Sequence, residues 1–180
     1  ISVTGDIEIM NPDLVICTGD LTTFGFKQEF AQAKSYLDRL DCESLVVVPG
    51  NHDYDAMWTD AKFPPAATFD PRDLSGLGTL HPGGLNNFRA VFGADQPLFK
   101  GKPWYVDSHD GGADSAQVFA AAGYRFLHIG LQFDAPDASL EWASAVMRRY
   151  PGLPTIISTH DYMSKEGERV ANPMIDGHRV

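Results

Sequence analysis

The chain has 180 residues, 43% of them hydrophobic and 21% charged, which is typical of one folded domain of ordinary size. Fourteen basic and 24 acidic residues give a net charge of −10, which disfavours nucleic acid as a partner because like charges repel. No apolar stretch approaches the roughly 20 residues that span a bilayer, so we predict no membrane span within this chain.

The two cysteines and the ends of the chain add two expectations. Cys17 lies in an apolar segment and Cys42 follows a predicted helix, and their spacing suits neither a disulfide framework nor a metal site. We therefore expect both to be free thiols. The chain begins at Ile1 and ends at Val180 without a distinct tail, so we expect a fragment of unknown localisation and oligomeric state.

The first half of the chain predicts a β-α-β unit. Residues 1–10 suggest the tail of a helix, and residues 14–17 form an apolar strand. Apolar side chains then recur every three or four residues from Phe26 to Leu40, which indicates an amphipathic helix. Leu45–Val48 is an unbroken aliphatic run, typical of a strand buried on both faces. Two strands joined by one helix are expected to be parallel.

The second half predicts a long excursion followed by a mixed sheet. Residues 54–101 are rich in proline and glycine, which favours a mostly irregular loop insertion with one short helix. The later segments predict a strand at 104–106, a hairpin around Gly123, a helix over 140–150 with Asp137 as its cap, and a third buried strand at 155–159.

Polar side chains follow three of these apolar strands. Asp20 follows the first, Asn51-His52-Asp53 follows the second, and His160 follows the last. Ligands bind at the carboxyl edge of open α/β sheets because several strand ends meet there. Carboxylate, amide and imidazole groups suit Mn, Fe, Zn or similar divalent ions. Each residue taken alone has a plainer reading as a turn or cap residue.

Taken together, these residues resemble the calcineurin-like metallophosphoesterases. Gly19-Asp20, Gly50-Asn51-His52-Asp53 and the strand-terminal His160 look like three of the five blocks of that family, in the same order. The resemblance implies an α/β fold, a four-layer αββα sandwich with mixed sheets, here incomplete at both ends. It also implies a single partial domain over residues 1–180 that carries the 54–101 insertion.

The resemblance further implies a role for each matching residue. Asp20 is similar to the carboxylate that bridges two divalent metal ions, and Asn51 and His160 are similar to ligands of the second ion. His52 looks like the catalytic histidine that assists the leaving oxygen. Asp53 and Asp161 are weaker candidates for residues that support the ligands. The implied reaction is hydrolysis of a small-molecule phosphate mono- or diester by a metal-bridging hydroxide.

The sequence departs from the family pattern in three places. The first block, Asp-x-His, is absent, and so is the last, Gly-His-x-His. His178 imitates the last block, but its spacing from His160 is short, and we interpret it as a decoy. The position three after Asp20, often Asp in the family, is Thr23. The chain alone is therefore expected to bind metals poorly and to be inactive by itself.

Two other functions stay open at this point. One is a non-catalytic phosphate-binding module, although no glycine-rich nucleotide fingerprint supports it. The other is a degenerate scaffold that keeps the fold without its metals. Among the other histidines, we expect His128 to be a core residue and His81 and His109 to face solvent.

Overall fold

A computed structural model describes residues 3–10, 12–59 and 79–160. The chain alternates helices and strands in a mixed α/β arrangement. Its helices are α1 (Val3–Met10), α2 (Lys27–Leu37), α3 (Asn86–Phe92) and α4 (Asp137–Arg149). Its strands are β1 (Leu14–Cys17), β2 (Ser44–Val47), β3 (Ala56–Thr59), β4 (Thr79–Pro82), β5 (Tyr105–His109), β6 (Asp114–Ala121), β7 (Tyr124–Gly130) and β8 (Thr155–Ser158).

The predicted β-α-β unit is confirmed. Strands β1 and β2 pair in parallel, with Leu14 opposite Ser44 and Cys17 opposite Val47. Helix α2 connects them and buries Phe30 completely. This crossover brings the carboxyl ends of β1 and β2 side by side, which positions the residues that follow each strand.

The aliphatic run after Ser44 is buried on both faces, as its composition predicts. Leu45 and Val47 belong to a core cluster with Phe30 and residues of α3. Val46 and Val48 face the other way, because a Cβ atom placed on Gly130 of β7 would lie 3.1 Å and 2.6 Å from their methyl groups. The first sheet therefore packs directly against the second.

The second sheet has the strand order β5-β6-β7-β8 and is mixed, as predicted. Strands β5 to β7 are antiparallel, and β7 and β8 are parallel. The hairpin between β6 and β7 turns at Gly123, which has a φ of +80°. Helix α4 packs Val146 against Leu127 and Ile129 of β7. Two facing sheets with helices outside them form an α/β sandwich of the predicted class.

Two local predictions are wrong. Strand β8 is exposed rather than buried, with Ile156 at 42% and Ile157 at 51% exposure, because it is the outermost strand of its sheet among the described residues. Asp137 is the first residue of α4 rather than its cap, since Pro136 occupies the position before the helix and no side chain caps it. An apolar composition alone does not distinguish an edge strand from a central one.

The proline-rich excursion contains regular structure where it is described. Strands β3 and β4 pair in antiparallel fashion, and α3 is the predicted short helix. Cys17 and Cys42 are free, as expected. None of the helices described here has the length and apolar character that crossing a lipid bilayer requires. The single-domain boundary remains a prediction.

Candidate metal centre

The candidate site lies where strand ends of the two sheets meet. Asp20 follows β1, and Asn51 and His52 follow β2 in the first sheet, whereas His160 follows β8 in the second. The sequence predicted one shared edge, but the structure builds the site between two sheets. The facing of β2 against β7 brings these edges together, because β8 runs parallel to β7 and ends beside it.

Asp20 and His160 are in direct contact across this junction. The Nε2 atom of His160 lies 3.2 Å from Oδ2 of Asp20, and its Nδ1 atom lies 3.0 Å from the carbonyl oxygen of Thr18. A carbonyl oxygen only accepts, so Nδ1 carries the ring hydrogen. In the neutral ring, Nε2 therefore presents a lone pair to a carboxylate oxygen. The contact is an ion pair when Nε2 also carries a hydrogen, and it presents two ligands to a cation when Nε2 does not.

Glycines permit this close approach. Gly19 has a φ of +111°, and a Cβ atom there would lie 2.6 Å from the Cα atom of Gly50. A Cβ atom on Gly50 would in turn lie 2.5 Å from the nitrogen of Asp20 and 3.0 Å from Nδ1 of His160. Asp20 itself has a φ of +55°, a strained conformation that Asp tolerates better than most residues. The glycines before Asp20 and Asn51 are therefore steric requirements of the site.

Asp53 ties the two loops of the first sheet together. Its side chain is fully buried. Its Oδ2 atom accepts hydrogen bonds from the N–H groups of Leu21, at 3.2 Å, and Gly50, at 2.9 Å. Its Oδ1 atom accepts the N–H group of Thr22 at 2.9 Å and faces the Thr22 hydroxyl at 3.0 Å. Burial raises the pKa of Asp53, and these hydrogen bonds oppose that rise.

His52 is exposed and held by main-chain contacts. Its N–H group donates to Oδ1 of Asp20 at 3.1 Å. Its Nδ1 atom lies 2.9 Å from the carbonyl oxygen of Thr23, so Nδ1 carries a ring hydrogen. Where the resemblance implies an aspartate, the contact to the ring thus comes from a backbone carbonyl. Nε2 of His52 has no hydrogen-bond partner in the described part of the chain.

Asn51 and Asp161 are less well defined by contacts. Asn51 opens the short 3-10 turn Asn51–Asp53 and is half-buried beside Gly50. Asp161, like His178, lies outside the described residues. Across residues 3–10, 12–59 and 79–160, no three His, Cys, Asp or Glu side chains form a group that could hold a metal ion. The candidate metal ligands that contact each other are Asp20 and His160. The side-chain amide of Asn51 is a further candidate ligand.

The remaining histidines behave differently from one another. His128 is fully buried, with Nδ1 3.3 Å from Oε1 of Gln117 and Nε2 3.0 Å from Oγ of Ser158, as expected of a core histidine. The expectation that His109 faces solvent is wrong, because its ring is half-buried and its Nδ1 atom lies 2.9 Å from the buried carboxylate of Asp114. The side chain of His81 falls outside the described set.

Sequence reasoning missed the residues that orient the candidate ligands. The carbonyl oxygens of Thr18 and Thr23 fix the two imidazoles, and carbonyl groups leave no signature in a sequence. The hydroxyl of Thr22 lies 2.8 Å from the carbonyl oxygen of His52 and accepts the N–H group of Gly25. Of these groups, only the side chain of Thr22 could have been suspected from the sequence, because it is a small polar residue two positions after Asp20.

Comparison with known proteins gives the family. A family model described as calcineurin-like phosphoesterase matches residues 3–176 of the chain. No curated protein matches the chain closely enough to count as a relative. The match covers nearly the whole sequence and includes every strand end that carries a candidate ligand. The chain belongs to the calcineurin-like phosphoesterase family, whose members in general hydrolyse phosphoesters with the help of divalent metal ions.

Proposed function

We propose that the protein hydrolyses a small-molecule phosphate mono- or diester at a dinuclear metal centre. The observation that carries the proposal is the pair formed by Asp20 and His160. Their oxygen and Nε2 atoms are 3.2 Å apart, and Thr18 keeps the hydrogen of the imidazole on the opposite nitrogen. A neutral imidazole beside an ionised carboxylate is the form in which both groups bind a cation.

The residues divide into ligands and a proton donor. Asp20, Asn51 and His160 would hold the metal ions, with Asp20 shared between them. Bound divalent ions would supply positive charge that stabilises a phosphoryl transition state and eases deprotonation of water. His52 would act with a hydrogen on both ring nitrogens: Nδ1–H is held by the Thr23 carbonyl, and Nε2, which has no partner among the described residues, would donate its proton to the leaving oxygen.

A cleft beside Asp20 offers room for the organic part of a substrate. It has a volume of about 480 Å³, which is within the usual size of small-ligand sites. The loop that contains Asp20, Thr22 and Thr23 forms one wall, and Gln32 and Tyr36 of α2 are part of the other. The mixed polar and apolar lining supports a substrate that carries an organic group rather than free phosphate alone.

Metal content and turnover test this proposal in the full-length protein. We expect His160→Ala and Asn51→Ala each to reduce the manganese that the purified protein retains, measured by atomic emission. The matched control is Asn86→Ala, because Asn86 is exposed and distant in sequence from the candidate ligands. Turnover is followed with p-nitrophenyl phosphate and bis-p-nitrophenyl phosphate, which separates monoesterase from diesterase activity.

The opposite result has a clear meaning. If the wild-type protein retains no divalent metal and hydrolyses neither ester, the dinuclear proposal is wrong and a degenerate scaffold is favoured. If Asn51→Ala keeps full metal content and full diesterase activity, Asn51 is not a ligand.

A further inference from the structure

Gln132 is a buried polar residue that the metal centre proposed above does not use. It lies two positions after β7 and is only 4% exposed. Its backbone N–H, its carbonyl oxygen and both atoms of its side-chain amide all have hydrogen-bond partners. A fully bonded glutamine in a core is rigid and specific, because any other amide orientation would leave buried groups unpaired.

One set of contacts joins Gln132 to the strand end that carries His160. The hydroxyl of Thr159, the residue before His160, donates to the carbonyl oxygen of Gln132 at 3.2 Å. One residue earlier, the N–H group of Leu131 donates to the carbonyl oxygen of Ser158 at 2.9 Å. The backbone of Leu131 and Gln132 therefore fixes the position from which His160 leaves the sheet.

A second set of contacts joins Gln132 to the Asn51–Asp53 turn. The hydroxyl of Tyr54, which directly follows this turn, donates to Oε1 of Gln132 at 3.2 Å. Tyr54 is 8% exposed, so this contact is shielded from water. The next residue, Phe133, donates its N–H group to the carbonyl oxygen of Pro49 at 3.1 Å. The turn is thus held from both of its ends.

A buried carboxylate fixes the orientation of the Gln132 amide. Asp114 is fully buried, and its two oxygen atoms accept the N–H group of Gln132 at 2.9 Å and its Nε2 group at 3.1 Å. Oγ of Ser139, from α4, lies 3.2 Å from Nε2 and 2.6 Å from Asp114. With Nε2 committed to these partners, Oε1 has to face Tyr54.

We propose that Gln132 is a positioning residue that sets the separation of His160 from Asn51 and His52. It contacts the neighbours of both, Thr159 on one side and Tyr54 on the other. The proposal rests on the function proposed above. Loss of these contacts would weaken metal binding, because residues that orient metal ligands typically contribute about 10- to 100-fold in affinity.

The first test removes one hydroxyl group. Thr159→Val in the full-length protein deletes the contact to Gln132 with little change in shape. The matched control is Thr155→Val on the same strand, where the hydroxyl bonds only the nearby carbonyl of Leu153. By titration calorimetry with Mn²⁺ alone, we expect Thr159→Val to lose about tenfold in affinity and Thr155→Val to match the wild type. Equal affinity of the two variants would overturn the proposal.

The second test removes the amide itself. Gln132→Met is compared with Gln117→Met, since Gln117 is also fully buried but bonds Ser115 and His128 instead. Both variants should lose thermal stability. Only Gln132→Met should shift the ring ¹⁵N resonances of His52 and His160 in long-range ¹H–¹⁵N spectra of the metal-free protein.

The two readouts separate the two proposals. If the wild-type protein does not bind Mn²⁺, the dinuclear function fails, and the ring resonances alone decide the role of Gln132. If the protein binds Mn²⁺ but the His160 resonances and the affinity are the same in both glutamine variants, the positioning role is wrong.

Discussion

The Nδ1 atom of His52 lies 2.9 Å from the carbonyl oxygen of Thr23, so the main chain orients this imidazole. The resemblance to the family implies an aspartate at that position. The carbonyl keeps the same nitrogen protonated without adding a negative charge beside the ring. The Thr23 side chain is therefore dispensable for the orientation of His52, although its backbone is not.

Substitutions at these two positions should have opposite outcomes. We expect His52→Ala to lower kcat for a phosphodiester by about 100-fold or more with metal content retained, because a proton donor in the transition state typically contributes at least that much. Thr23→Ala keeps the carbonyl group and should leave kcat close to that of the wild type. Steady-state kinetics with metal analysis checks both. A large loss in Thr23→Ala would show that the side chain takes part.

Gly19→Ala should destabilise the protein more than the same change at another left-handed glycine. Gly19 and Gly123 both have positive φ, at +111° and +80°. An added Cβ atom would meet the backbone of Gly50 at the first site, whereas nothing lies within 4 Å at the second. We expect the alanine substitution to lower the free energy of unfolding by about 1 kcal/mol at Gly123, from backbone strain, and by several kcal/mol more at Gly19, as measured by urea unfolding. Equal losses would contradict the close approach of the two loops.

Asp53→Asn should lower the free energy of unfolding by about 2–4 kcal/mol. Each carboxylate oxygen of Asp53 accepts hydrogen bonds, so the amide NH₂ of asparagine would face N–H groups whichever way it is oriented. Asp38→Asn is the control, because its pair with Lys34 is exposed on α2 and should contribute less than about 1 kcal/mol. Denaturant titration of both variants gives the comparison. If Asp53→Asn lowers the free energy of unfolding no more than Asp38→Asn does, the hydrogen bonds of Asp53 do not stabilise the fold.

The buried His128 should make stability fall in mild acid. Burial lowers its pKa from 6.5 to about 4, so between these values the unfolded chain binds a proton that the folded protein does not. This contribution is complete above pH 6.5 and is lost as the pH falls toward 4, by up to about 3 kcal/mol. Unfolding free energies measured between pH 7.5 and pH 4 should show this slope. His128→Gln should flatten it, and an unchanged slope would assign the effect to other groups.

The sequence predicted those features that depend on residue type and on position relative to a strand. Four consecutive aliphatics before Gly50 predict a doubly buried strand, and the structure confirms it for Leu45, Val46, Val47 and Val48. Asp20, His52 and His160 could be grouped in advance because each follows a strand, and strand ends converge. In the structure, the Asp20 side chain contacts both the ring of His160 and the backbone N–H group of His52.

Other features depend on packing that no local pattern encodes. The exposure of β8 depends on its outermost position in the described part of the sheet, which its two isoleucines do not reveal. The pairing of His109 with Asp114 depends on the register of β5 against β6, in which these two residues lie opposite each other. Gln132 carries no motif, and its contacts join it to Tyr54, Asp114 and Thr159, which are distant in sequence, and to Ser139, which is seven residues away.

Gly130 and Val48 pack so closely that the side chains of the two sheets have a fixed total volume at this point. A methyl group added at Gly130 would lie 2.6 Å from a methyl carbon of Val48, so there is no spare room at this point. A larger side chain on one strand therefore requires a smaller side chain on the strand that faces it. Among natural variants of this protein, a larger residue at position 130 is therefore expected only together with a smaller one at position 46 or 48.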